Sequence, residues 1–165
     1  PTLPLTTKYA DMRLVLFEPD IPQNTGAMMR LAACLGVGVD LIEPCGFVLD
    51  DRRMRRAVMD YLESLDLVRH HSWDAYRKSI GSQRLILLST KASTHHTDFA
   101  FRHDDHLMVG RESAGVPDSV RDAADAAIVI RLVPPARSLN VALAAAMVLG
   151  EALRQTKYMP SPPLS

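Results

Sequence analysis

The sequence is poor in the residues that staple, stack or span. Its 165 residues include two cysteines and one tryptophan, and aromatic residues make up only 5%. Two cysteines cannot frame a disulfide-dense secreted scaffold, and no Cys-x-x-Cys occurs to suggest a redox or zinc centre. Cys34 and Cys45 both stand in apolar stretches and read as small buried hydrophobes in a protein of the reducing cytosol. Neither sign of charge prevails, with 19 basic residues against 19 acidic ones. A nucleic-acid partner would therefore need a local basic patch. Long apolar runs are missing too. The charge-free stretch Val141–Gly150 would span about 15 Å as a helix, half a bilayer core, so it reads as a buried helix and not a membrane span. The opening "PTLPLTTKYAD" has neither a basic nor an apolar signal region, so no secretion signal is read and a cytoplasmic location is expected. There is no Gly-Lys-Ser/Thr and hence no P-loop. "LGVGVDLIE" holds a Gly-x-Gly, but between a helix and a strand, the reverse of the dinucleotide-binding order.

What is present is an alternation. "MRLVLFEP", "VDLIEP", "LDLVRHH", "RLILLS", "HLMVG" and "AAIVIRLV" read as short apolar strands. Between them, "NTGAMMRLAACLG" (stopped at Gly36), "DDRRMRRAVMDYLES", "SWDAYRKSIG" (capped by Ser72, ended by Gly81) and "VPDSVRDAAD" read as helices. A last helix is expected from about Leu139 to Thr156. "TKASTHHTDFAFRHDD" is the one long irregular segment. The pattern predicts an α/β fold, a mostly parallel sheet flanked by helices on both faces. One domain over residues 12–157 is expected, between flexible tails at 1–11 and 158–165.

In such sheets ligands bind beyond the carboxyl ends of the strands. Four strand-exit loops are rich in Gly, Pro, Ser and Asn: "PDIPQNTG", "STKAS", "GRESAGVP" and "VPPARSLN". Each alone has a purely structural explanation. Asn24 or Thr25 can cap a helix, worth about 1 kcal/mol, and Ser138 or Asn140 can do the same for the last one. Gly110 and Gly115 can shape the turn before Pro117. Arg30, in a largely apolar helix, serves either a salt bridge or an anion site.

Together the loops say more. "NTGAMMRLAACLG" has the form Asn-x-Gly-x-x-x-Arg-x-x-x-x-x-Gly, "GRESAGVP" the form Gly-x-Glu-x-x-Gly-x-Pro, and "RSLNVALAAA" opens a small-residue helix with Ser-x-Asn. In this order they resemble the three signature motifs of the SpoU branch of the SPOUT RNA methyltransferases. "IEPCGFVLDDRRMRRAVMDYLE" and "RHHSW" are similar to the short members that methylate the tRNA wobble nucleotide. The resemblance runs from Arg13 to about Gln155. It implies a deep trefoil knot in the C-terminal part of the sheet, S-adenosyl-L-methionine as cofactor, a homodimer with sites drawing on both chains, and no metal. Carried over by position, the cofactor contacts are Leu88, Thr90, Gly110, Glu112, Gly115, Ile130, Leu132, Ser138 and Asn140. Asn24, Arg30, Ser138 and Asn140 would face the ribose, with Arg30 anchoring a phosphate or oxyanion, since a guanidinium is a poor base. The implied partner is tRNA, held at its anticodon stem-loop, the implied reaction 2′-O-methylation of the wobble cytidine or uridine. Another tRNA or rRNA target, or a catalytically weak RNA-binding protein that keeps the pocket, are the alternatives.

Arg52, Arg53, Arg55 and Arg56 form the basic cluster expected to grip RNA, the other reading being a solvated face paired with Asp50, Asp51 and Asp60. The histidines and aspartates between His95 and His106 match no standard zinc spacing. Two positions depart from the wobble-type pattern: Gly150, where relatives commonly carry a tyrosine tied to substrate binding, and Arg131, where a proline often follows the strand.

Overall fold

Period-two alternation builds the centre of the molecule, seen in a computed structural model that describes residues 10–50, 52–58, 61 and 64–157. In β1 (Arg13–Phe17), Leu14 and Leu16 enter one hydrophobic cluster while Val15 and Phe17 enter another, all essentially without exposure. Neighbouring strands repeat the division. Leu107 and Val109 of β6 (His106–Val109) face the first cluster and Met108 the second; Ile86 of β4 (Leu85–Leu88) faces the first, Leu85 and Leu87 the second. A strand that buries both faces needs cover on both, which is why these strands read as unbroken apolar runs. Each such large side chain contributes about 1.5–3 kcal/mol by leaving water.

Two layers of helices supply the cover. Met28, Met29 and Ala32 of α1 (Pro22–Leu35), Met54 and Val58 of α2 (Arg52–Val58), and Ala145, Val148, Leu149, Ala152 and Leu153 of α5 (Val141–Thr156) close the first face. Tyr76 and Ile80 of α3 (Trp73–Ile80) and Val120 of α4 (Asp118–Ala123) close the second. With β2 (Gly38–Ile42), β3 (Leu67–His70), β5 (Thr94–His95) and β7 (Ala126–Val129), the strands form one sheet in the order β3-β2-β1-β6-β4-β7-β5, every pair parallel. The chain winds outward from β1 to β3, then returns to the other side of β1. The topological switch point thus lies between β1 and β6.

The second face carries a buried polar network. Asp40 accepts from Arg13 Nε at 2.5 Å and lies 2.6 Å from His70 Nε2, while the Arg13 Nη1 donates to Asp66 at 2.6 Å. The Tyr76 hydroxyl lies 2.8 Å from His106 Nδ1. His70, at the end of its strand, is thus a structural partner of Asp40.

Several local expectations need correction. The first helix begins at Pro22, with Ile21 at the cap position and proline in the first turn, where its missing N–H costs nothing. Asn24 and Thr25 therefore lie inside the helix and cap nothing; Thr25 Oγ1 donates to the Ile21 carbonyl at 3.2 Å. Cys34 is exposed, because helical spacing puts it on the outward face with Gln23, Ala27 and Arg30 despite its apolar neighbours. Cys45 is half-buried. The irregular segment contains the edge strand β5, two residues paired with β7. Pro117 occupies the cap position of α4, and β7 stops at Val129, leaving 130–140 as an extended loop. Other expectations agree: the Ser72 hydroxyl accepts from Ala75 N at 3.0 Å, and Gly36 ends α1 with φ 67°. Ala10 is also held, its N–H donating to the Gly36 carbonyl at 2.8 Å. Residues 1–9 of the expected N-terminal tail, all of the C-terminal one, and Asp51 and Asp60 lie outside the described residues. Among these residues no helix is long and apolar enough to cross a membrane.

Candidate active site

Because all strands point one way, the loops leaving β1, β4, β6 and β7 open on one edge of the sheet, at the switch point. They enclose a cavity of about 610 Å³, within the range of sites that hold a nucleotide-sized ligand. Ile21 and Asn24 contribute from the start of α1, Leu88 to Lys91 from the β4 exit, and Gly110 to Glu112 with Ala114 to Val116 from the β6 exit. Val129, Ile130 and Leu132 follow from β7, and Ser138 to Val141 with Ala144 from the mouth of α5. Segments more than a hundred residues apart are thereby brought to one wall. Every expected cofactor contact (Leu88, Thr90, Gly110, Glu112, Gly115, Ile130, Leu132, Ser138 and Asn140) lines this cavity, as does Asn24.

Two asparagines join its ends. The Asn140 Oδ1 caps α5, accepting from the Ala142 and Leu143 N–H groups at 2.9 and 3.3 Å. Its Nδ2 donates to Asn24 Oδ1 at 3.0 Å. The same side chain thus starts the last helix and tethers the first. Of the two residues able to cap α5, Asn140 does so, and Ser138 stands exposed in the loop before it.

The β6 exit loop is closed on itself. Arg111 and Gly115 exchange both backbone hydrogen bonds, at 3.0 and 2.8 Å. A Cβ on Gly110 would fall 2.8 Å from the Gly115 backbone, so only glycine permits this closure. The loop is locked to the β1 exit by a reciprocal pair. Glu112 N–H donates to Asp20 Oδ1 at 3.2 Å, and Asp20 N–H donates to Glu112 Oε2 at 3.3 Å. Burial, then the adjacent Asp20, pushes the Glu112 carboxyl above its ordinary range. The hydrogen bond from Glu112, with a second from Ser113, holds Asp20 below its own. Glu112 Oε1 is buried with no hydrogen-bond partner. A buried polar atom of this kind, beside glycine backbone and under an apolar wall, suits a ligand that carries hydrogen-bond donors.

Arg30 is placed differently. It lies on the exposed face of α1, does not line the cavity, and its guanidinium carbon sits 5.0 Å from the centroid of the Tyr61 ring. The four arginines of α2 are all exposed, while Met54 and Val58 anchor that helix. The cavity also has cationic walls that the motifs did not single out: Lys91, Arg111 and Arg121. Lys91 and Arg111 sit inside the loops "STKAS" and "GRES", where strand-exit position was the available signal. Arg121 and Ala144 belong to helices and reach the site only through the tertiary fold. Among the described residues no three of His, Cys, Asp and Glu gather as a metal site. His106 bonds Tyr76 instead, and Asp105 receives Arg84 at 2.8 and 2.7 Å.

The comparisons with known proteins agree with this geometry. Residues 11–150 match the SpoU rRNA Methylase family. A protein of Beijerinckia indica subsp. indica, named tRNA (cytidine(34)-2'-O)-methyltransferase, is 62% identical over 144 residues, covering 86% of this chain and 90% of its own. A solved structure described as giving insights into the 2-OH methylation of C/U34 on tRNA superposes with a TM-score of 0.84 at 36% identity, covering 87% of this chain and 95% of the other. The methyltransferase AviRb of Streptomyces viridochromogenes, solved in complex with the cofactor AdoMet, superposes with a TM-score of 0.77 at 31% identity, covering 88% of this chain and 61% of its own. A seven-stranded parallel sheet, three motif loops around one cavity and a match over most of its length place this chain in the SpoU family of RNA methylases.

Proposed function

We propose that the protein transfers a methyl group from S-adenosyl-L-methionine to the ribose 2′-hydroxyl of the wobble nucleotide, a cytidine or uridine, in the tRNA anticodon. The observation that carries this reading is the convergence of Asn24, the Gly110–Gly115 loop and Ser138–Asn140 on one cavity, tied by the Asn140–Asn24 hydrogen bond. The names of the relatives supply the substrate. The cavity suits the cofactor: it has apolar walls, backbone donors and acceptors at the glycine loop, and an acceptor at Glu112 Oε1 still lacking a partner.

When bound there, the cofactor supplies an electrophilic sulfonium methyl group. The residues of this chain have three tasks. The exit loops hold the donor in place, so that alignment replaces a bimolecular encounter. Asn24 and Asn140, fixed by each other, orient the ribose hydroxyl. The cations Lys91, Arg111 and Arg121 favour an anionic substrate at the mouth. As the carbon–oxygen bond forms and the carbon–sulfur bond breaks, the hydroxyl proton leaves to solvent or a nearby base.

The finer architecture follows the same reading. The C-terminal segment forms a trefoil knot, in support of which 130–140 and the 110–116 loop line one cavity and α5 then returns over the first face of the sheet. The enzyme is a homodimer. Leu143 and Met147, one turn apart on α5, stay exposed at 61% and 47%, and Leu139 in the loop just before the helix is exposed too, an apolar patch that a second copy would cover. Arg30, on the outward face of α1, then serves the partner's cavity, and the α2 arginines hold the anticodon stem-loop. Its place of action is the cytoplasm.

Incubation with total tRNA and methyl-labelled cofactor, followed by nuclease mapping, tests the assignment. Label in the 2′-O-methylated wobble nucleotide is the expected result. Label elsewhere in tRNA or in rRNA moves the target. Cofactor binding with no incorporation into any RNA would leave a binding protein.

A further inference from the structure

A second cavity, of about 560 Å³, opens at the carboxyl ends of β2 and β3, on the same edge of the sheet as the first. We propose that it seats an unstacked nucleobase from the anticodon loop of the bound tRNA, an inference that rests on the function proposed above.

The lining has the chemistry of a base seat. Phe47 and Val48 offer apolar surface, with Val48 71% exposed and so held in water until something covers it. The His71 ring adds a second π-face on the same rim. Arg69 spans the cavity to Glu43, its Nε and Nη2 both donating to the same Oε1, at 2.8 and 2.5 Å. That pair uses neither Glu43 Oε2 nor Arg69 Nη1, so an acceptor and a donor remain on the two side chains that line the cavity. The Watson–Crick edge of an unpaired base presents the complementary pair, such as the amino group and N3 of cytosine. Stacking on the aromatic and apolar wall supplies the sequence-tolerant part of the affinity. The Cys45 thiol in the wall is pushed up to about 11 by burial, so it is neutral and adds no repulsion.

The surroundings select RNA over other occupants. The rim ends at Leu49 and Asp50, and the exposed arginines 52, 53, 55 and 56 follow at once on α2. Phosphate grip and base seat thus occupy one continuous segment, the usual division between positioning and reading contacts. The cavity is also tied to the methyl-transfer site. The Gly46 N–H donates to the Pro19 carbonyl at 2.9 Å, and a Cβ on Gly46 would fall 2.7 Å from that of Asp20. Asp20 in turn is locked to Glu112 in the first cavity. A base seated here is held in a set relation to the ribose being methylated.

A double-mutant cycle tests the proposal. tRNAs are assembled by ligation, each with a single abasic nucleotide at one position of the anticodon loop. Their dissociation constants and single-turnover transfer rates are measured with the wild type, Val48→Asp and Arg69→Gln. With the wild type, one abasic position should cost about tenfold or more in affinity, the worth of one stacked base. Each variant should lose a similar factor with intact tRNA, and the same abasic position should then cost it nothing further. Unchanged melting temperature and unchanged cofactor affinity show that the variants are folded, and two substitutions at exposed side chains guard against a local artefact. Penalties that multiply at every position, or variants that bind intact tRNA as well as the wild type, overturn the base seat while leaving methyl transfer standing. A wild type that neither binds nor methylates tRNA overturns the function and the seat together.

Discussion

Asn140 performs two tasks with one side chain, and substitutions can separate them. Asn140→Ala removes the α5 cap, a loss of about 1 kcal/mol, together with the hydrogen bond to Asn24. A melting temperature lowered by roughly 2–4 °C is expected for a chain of this size, with weaker cofactor binding by calorimetry. Asn24→Ala leaves the cap intact, so its melting point should barely move while methyl transfer falls. Glu112 permits a test by pH. Its raised carboxyl pKa means that its contribution to stability is present below the ordinary glutamate value and is lost as pH rises through the folded one. Asp20, depressed, acts in the opposite sense: its contribution is present above the ordinary aspartate value and lost as pH falls through the folded one. Glu112→Gln keeps an acceptor for the Asp20 N–H and removes the loss at high pH. Urea unfolding from about pH 4 to 8 should show the variant gaining on the wild type as pH rises. A parallel pair of curves would contradict the assignment.

At the scale of elements, β1, β2 and β3 are joined by more than their ladders. Asp40 is buried and serves both Arg13 and His70. Asp40→Ala leaves those two polar groups short of their acceptor inside the second hydrophobic layer. A loss of about 3–5 kcal/mol is expected, the usual consequence of breaking a buried pair from one side, measured by equilibrium unfolding. Gly150 makes the opposite case. It lies inside α5, and a Cβ there would meet nothing within 4 Å. Gly150→Ala should stabilise the protein by about 0.5–1 kcal/mol by restricting the unfolded chain.

At the scale of the molecule, one chain holds Asn24 and Asn140 in its cavity and Arg30 outside it. If each site takes its arginine from the partner protomer, two inactive variants can repair one another. Arg30→Ala and Asn140→Ala, unfolded and refolded together in equal amounts, form heterodimers with one site carrying both substitutions and one carrying neither. Random pairing then restores about a quarter of the wild-type rate. No recovery would place Arg30 in its own chain's site. Leu143→Glu, charging the exposed stripe of α5, should sediment as a monomer and lose transfer.

The division between what sequence and tertiary structure each decide follows from the range of the forces involved. Local and periodic features were legible in the chain: six of the seven strands, the Ser72 and Gly36 caps, and the loops that carry the cavity. Each depends on a few neighbouring residues and on whether apolar positions recur at two or at 3.6. Family resemblance then marked nine cavity residues, all of which line the cavity. The two-residue β5 carried no pattern of its own and exists because β7 offers it an edge. Cys34 looked buried from its neighbours and is exposed because helix phase, not neighbourhood, sets its direction. Asn24 passed for a cap because the sequence does not show that Pro22 already starts the helix. Strand order, the tether between Asn24 and Asn140, the position of Arg30 and the cavity between Glu43 and Arg69 all required the fold. Each joins segments far apart in sequence, and only the packing of layers decides which of them meet.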